Sequence, residues 1–290
     1  MDLNCFYLLL VGHLLGDYYL QWGKMSDEKD RKWSYLLIHS AIYMAVCVIL
    51  GVIAFSVQLF CTFLLLATSH FVMDSLKKLV KPFLLPSEKN KQSKLQKLLT
   101  SCTPSIQANP QITDKYVYII DQLLHLGFIF LFSCLFISWG GKVSLTPAIH
   151  TAIDNLGLSS SSILRWVVIL LLIGKPVNVT IKKVIVPFKP TGEKKEPLAV
   201  DENTTTANST NDEKLEKILN AGAFIGFLER LIIVALLSLQ QYASIGLVLT
   251  AKSIVRYSEI SKDSAFADYY LLGTLMSILS AICFYLLIFS

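Results

Sequence analysis

Charge is what this sequence has little of. Only 16% of its 290 residues are Asp, Glu, Lys or Arg, against 53% hydrophobic, and the mean hydropathy is +0.55. Soluble domains carry about 25% charged residues, so this composition fits a bilayer and excludes a large water-soluble domain. Cysteine is sparse and unpatterned. The six, Cys5, Cys47, Cys61, Cys102, Cys134 and Cys283, lie mostly in apolar runs and form no CxxC pair. A disulfide framework and zinc-finger spacing are thereby excluded. No GxxxxGK[ST], GxGxxG or GxSxG stands in a suitable context, which argues against a P-loop NTPase, a Rossmann domain and a serine hydrolase. A basic leader is also missing. The first apolar run follows Met1 and Asp2 directly and contains His13 and Asp17, so we read it as a membrane helix and not as a cleaved signal peptide.

Eight long apolar runs are present, near 4–22, 34–56, 58–79, 115–138, 163–185, 220–239, 241–257 and 267–289. A helical crossing needs roughly 20 mostly apolar residues, so the expected fold is an all-α polytopic transmembrane helical bundle of about eight spans. Gln240 and Gln241 are the only polar break between the sixth and seventh runs, and one long tilted helix there would give seven spans. The polar, Thr/Asn-rich stretch 187–218 cannot bury a core and reads as a disordered cytoplasmic linker. It divides a five-span bundle, 1–186, from a three-span C-terminal bundle, 219–290.

Basic loops set orientation. The connection after the third run carries Lys77, Lys78, Lys81, Lys89, Lys91, Lys94, Lys97 and Lys115 against Glu88 and Asp114, which predicts a cytoplasmic loop and both termini external. The same loop has no aromatic interleaving, so its charge suits anionic lipid headgroups and no nucleic-acid partner is expected.

Histidine is scarce, with five in the chain, yet four fall inside apolar runs. Three of them have an Asp one helical turn away: His13 with Asp17, His70 with Asp74, and His125 with Asp121. Residues at i and i+4 share a helix face. His39 stands alone on the second run, six residues in from Trp33. Asp121 is six residues in from Lys115, and Asp74 lies three before Lys77. At 1.5 Å per residue, all seven side chains occupy a band roughly 5 to 15 Å from the cytoplasmic end of their spans.

An ionisable group in hydrocarbon costs several kcal/mol, so four helices aiming imidazoles and carboxylates at one layer need a reason. Divalent metal binding is the reading we adopt, with His13, Asp17, His39, His70, Asp74, Asp121 and His125 as candidate ligands for one or two ions. Gln21 and Gln122 are candidates to orient a ligand ring or a water. Mixed N/O ligation suits Zn, Mn, Fe or Co. The alternatives are a proton or ion relay, and hydrogen-bonded His–Asp pairs that only hold helices together. His150, in an external loop, reads as a surface residue.

The strings GHLLGDYYLQ, LLIHSAIY, HFVMDSLK and DQLLHL, with IGFLERLII, GLVLTAKSIVRY and ADYYLLGTLMS in the second half, resemble the bacterial membrane protein family known only as domain of unknown function 3307. That resemblance implies bacterial origin and an inner-membrane location, and it supplies no reaction.

The second half has a smaller polar set on the cytoplasmic side. Pro176 is expected to kink its helix and free carbonyls near Lys175. Lys175, Asn178, Arg230 and Lys252 are candidates for binding an anionic or lipid-like substrate, with Glu229 as a candidate catalytic base. The plainer account pairs Glu229 with Lys252 or Arg256. Three functions are compatible with these residues: a metal-dependent membrane hydrolase acting on a lipid-like or phosphorylated substrate, a metal-ion or proton-coupled transporter, and a membrane scaffold.

Overall fold

A computed structural model describes residues 3–53, 56–84, 110–143, 151, 153, 155, 157, 159–185, 207–262 and 264–290. His150, most of the basic loop and most of the expected linker lie outside those residues. Among the described residues there is no strand. The chain is built from α1 (Leu3–Leu14), a π-helical turn (Leu15–Tyr19), α2 (Gly23–Glu28), α3 (Trp33–Ile53), α4 (Val57–Leu84) and α5 (Pro110–Ser138). Next come α6 (Ser160–Ile173), α7 (Lys175–Ile185), α8 (Ala207–Ser238), α9 (Tyr242–Val255), α10 (Tyr257–Ile260) and α11 (Ser264–Phe289). The all-α expectation holds. Among the described residues five helical stretches are long and apolar enough to cross a membrane: Trp33–Ile53, Val57–Lys81, Asp114–Ser138, Ser160–Ile185 and Ser264–Phe289.

Two compact units divide the chain, Met1–Leu171 and Leu172–Ser290. The division falls inside the fifth apolar run and not at the polar stretch, because α7 packs on α8 and α11. In the first unit α3 packs on α4, α4 on α5, and α1 on α3 and α5. Each helix turns one stripe inward at helical spacing. On α4 the buried stripe is Leu59, Phe63, Leu66, His70, Asp74 and Lys78. On α5 it is Tyr118, Asp121, His125, Ile129, Ser133 and Phe136, and on α3 Leu36, His39, Tyr43 and Val46. The outward faces carry Val52, Val72, Leu123 and Leu131, all half exposed or more. This reverses a water-soluble amphipathic helix, as expected where lipid is the solvent and polar groups must find partners inside.

Two irregularities match features of the sequence. Gln240, at φ 57°, ends α8, with Gln241 N–H donating to the Leu236 carbonyl at 2.8 Å. The two runs around it are therefore two helices, closed by a left-handed cap. Gly174 interrupts the fifth run two residues before Pro176, as the missing proline donor requires. One difference concerns 187–218: α8 starts at Ala207, so the end of that stretch is helical, continuing an apolar helix.

Candidate metal centre

The first unit brings all seven predicted His and Asp side chains together, each at most 8% exposed. The helix carrying His13 and Asp17 does not keep α-geometry between them. Leu20 N–H donates to the Leu15 carbonyl at 2.9 Å, an i to i−5 bond that closes the π-turn. Such turns admit an extra residue and re-aim side chains. At Gly16 no side chain fits, because a Cβ would stand 2.5 Å from the Tyr43 ring. Tyr43 uses that space to stack on His70, with centroids 3.9 Å apart, and to set its hydroxyl 3.3 Å from His13 Nδ1.

Four donor atoms from three separate elements then converge. Asp17 Oδ1 comes from the π-turn, His39 Nε2 from α3, and His70 Nε2 and Asp74 Oδ2 from α4; all lie within 4.8 Å of one another. The two imidazole nitrogens are 3.1 Å apart. His39 Nε2 is 3.4 Å from both carboxylate oxygens, and His70 Nε2 is 3.9 Å from both. A tetrahedral ion with bonds of about 2.0 to 2.2 Å has ligand-to-ligand edges of about 3.3 to 3.6 Å. The His–His and His–carboxylate edges of the cage, from 3.1 to 3.9 Å, bracket that range. His₂Asp₂ is also a donor set that zinc and related transition ions accept, so the residues fit a divalent ion.

A charge already borders this cage. Lys29 Nζ lies 3.2 Å from Asp17 Oδ1, 3.2 Å from Asp74 Oδ2 and 3.4 Å from His39 Nε2. These distances allow two positions for the ammonium, and the one on the His70 side would collide with the ring nitrogen. Lys29 therefore caps the Asp17/Asp74/His39 face from outside, opposite His70. Burial alone would depress the Lys29 pKa, but the carboxylates of Asp17, Asp74 and Asp121 outweigh it and raise the group above the ordinary lysine value.

A second group shares Asp74 and adds Asp121 and His125 from α5. His125 Nδ1 donates to the Asp121 backbone carbonyl at 2.7 Å. The ring proton is thereby fixed on Nδ1, and Nε2 is a bare acceptor, buried without a hydrogen-bond partner. The Lys77 ammonium stands against Asp121 Oδ2 at 2.9 Å. Gln122 ties the groups together: its amide nitrogen donates to Asp17 Oδ2 at 3.3 Å and to Asp121 Oδ2 at 3.2 Å, while its oxygen accepts from Tyr18 at 2.6 Å.

Several expectations are refined. The i, i+4 partners make no side-chain hydrogen bonds with each other, since His70–Asp74 and His125–Asp121 are each 3.9 Å apart. His13 belongs to neither converging group and instead stacks on His125, centroids 5.2 Å apart. Gln21 follows the end of the helix at Tyr19, and its amide nitrogen is buried without a hydrogen-bond partner. Sequence reasoning did not single out Lys29, Lys77, Tyr18 or Tyr43. The signal for the lysines was charge balance, because three carboxylates in an apolar layer exceed what neutral imidazoles can offset.

In the second unit Arg230 is 1% exposed. Its Nε donates to the Ile173 carbonyl at 2.6 Å, and its terminal nitrogens to Ser277 Oγ at 3.0 Å and Asn178 Oδ1 at 2.6 Å. It thus caps a carbonyl beside the break at Gly174. Of the four predicted substrate-binding residues, Arg230 and Asn178 thus meet, Lys252 pairs with Glu229 at 2.6 Å, and Lys175 is exposed.

No curated protein and no solved structure matches the chain. One family profile does match, over residues 5–153, which contain every residue of both donor groups and leave out IGFLERLII and the two strings after it. That stretch is just over half of the sequence, and the chain belongs to the family of proteins of unknown function designated DUF3307.

Proposed function

We propose that this membrane protein holds a divalent transition metal, Zn, Mn, Fe or Co, near the cytoplasmic face of a bacterial inner membrane, and uses it as a metal-dependent hydrolase of a lipid-like or phosphorylated substrate. The observation that carries the reading is the His39/His70/Asp17/Asp74 cage, whose His–His and His–carboxylate edges of 3.1 to 3.9 Å bracket those of a tetrahedral ion. Such an ion supplies a bound water of lowered pKa. The chain's own groups hold the cage in place. Tyr43 packs on His70, and Gln122 donates to Asp17 Oδ2, leaving Oδ1 to the cage. Hydrolysis needs a position for water beyond four protein donors, a fifth site of the kind zinc acquires.

Lys29 favours a second reading, in which its ammonium is the permanent counter-charge and the cluster is a structural ion-pair knot. Elemental analysis of detergent-purified protein separates the two. The metal reading expects close to stoichiometric transition metal, lost in His39→Ala and His70→Ala. Metal-free protein of full stability would establish the knot.

A further inference from the structure

Lys29 is the only cation in contact with both carboxylates of the cage among the described residues. It does not come from a membrane helix. It directly succeeds the six-residue α2, whose N-cap Trp22 is half exposed and whose Met25 is fully buried. Met25 holds the segment against the protein, while the Lys29 stem reaches inward from the rim with 9% of the side chain still accessible. A lysine stem has four rotatable bonds, so the ammonium can leave for the aqueous side without moving α2.

Charge balance limits what the cluster can hold. Asp17, Asp74 and Asp121 bring three negative charges, and Lys29 and Lys77 bring two positive. A divalent ion added with both lysines in place leaves the cluster with one positive charge in excess, and puts that ion beside an ammonium on the same carboxylate face. Exchange of Lys29 for one divalent ion leaves the cluster neutral. Two ions would again leave an excess even with both lysines gone.

We infer that Lys29 is the residue that sets metal affinity and stoichiometry in this cage: its ammonium and a single divalent ion alternate on the Asp17/Asp74/His39 face, and metal entry swings Lys29 outward. This rests on the proposal that the cage holds a metal.

The test is zinc titration of the full chain in detergent, comparing wild type, Lys29→Met and Lys24→Met. Lys24 is exposed on the same segment and controls for loss of charge. Lys29→Met should bind one zinc per chain roughly tenfold or more tighter than wild type, since each tenfold is about 1.4 kcal/mol and two buried ammonium contacts no longer need breaking. Lys24→Met should match wild type. Equal or weaker binding by folded Lys29→Met overturns the exchange while leaving the metal reading intact. No zinc binding by any of the three overturns the metal reading and the exchange with it. If Lys29→Met does not fold, acetylation of wild type read residue by residue by mass spectrometry decides. Zinc should raise labelling of Lys29 and leave Lys24 unchanged; labelling of Lys29 that zinc leaves unchanged or lowers overturns the exchange.

Discussion

Asp74→Asn is the most searching single change, because Asp74 is the residue that both donor groups share. Asparagine keeps the volume and one acceptor oxygen but removes the charge. Asp74 Oδ2 lies 3.2 Å from Lys29 and 3.4 Å from His39 in a site only 4% exposed. Removing one partner of a buried ion pair costs about 3 to 5 kcal/mol. Lys29 retains Asp17 at 3.2 Å, so the loss should fall at the lower end, about 3 kcal/mol. In the metal-loaded protein the variant loses one of four donors. Changes to groups that merely support a ligand cost roughly 10 to 100-fold in metal affinity, and loss of a ligand should exceed that. Elemental analysis and thermal unfolding of detergent-purified wild type, Asp74→Asn and Asp121→Asn provide the assay. Asp74→Asn should lose its metal and melt lower. Asp121→Asn, outside the first cage, should keep one ion. Asp74→Asn with wild-type metal content and an unchanged melting curve would refute the cage.

Gly16→Ala should destabilise by roughly 1 to 3 kcal/mol, because its methyl would stand 2.5 Å from the Tyr43 ring, and Tyr43→Leu in the same chain should recover part of the loss in chemical unfolding. Arg230→Met should lower stability by about 3 kcal/mol or more through three orphaned acceptors, the Ile173 carbonyl, Asn178 and Ser277, without changing metal content; metal loss in that variant would contradict the separation of the two polar networks. The Lys29 pKa is raised in the folded protein. Its contribution is therefore intact below the ordinary lysine value of about 10.4 and is lost as pH rises through the higher folded value. Melting curves of wild type and Lys29→Met in the absence of metal should differ by a constant amount from pH 7 to 9 and converge at strongly alkaline pH; a gap that closes near neutrality would refute the assignment.

Much of this protein is legible in its sequence alone, because the bilayer imposes simple rules. A run of apolar residues long enough to cross must be helical, since lipid offers the backbone no partners. An ionisable group in such a run must face inward. Those two constraints are enough to place His39, His70, Asp74, Asp121 and His125 in one layer, whereas Gln240 and Gln241 left one helix or two open until the left-handed cap at Gln240 decided it. Side-chain direction at finer scale is not legible. Whether Asp17 meets His39 depends on the π-turn at Leu15–Tyr19, a shift of one residue that no periodicity reveals. Nor does spacing predict that His13 pairs with Tyr43 and His125 while His70 joins the cage.

Lys29 shows the division most plainly. In the sequence it is one of several loop lysines that orient the chain; in three dimensions its ammonium lies against two buried carboxylates, Asp17 twelve residues away and Asp74 forty-five. Composition and hydropathy determined that a polar layer exists within the helices and roughly how deep it lies. Only the tertiary structure decided which cation borders it, because that choice depends on how far a flexible stem reaches across a helix packing that no local pattern encodes.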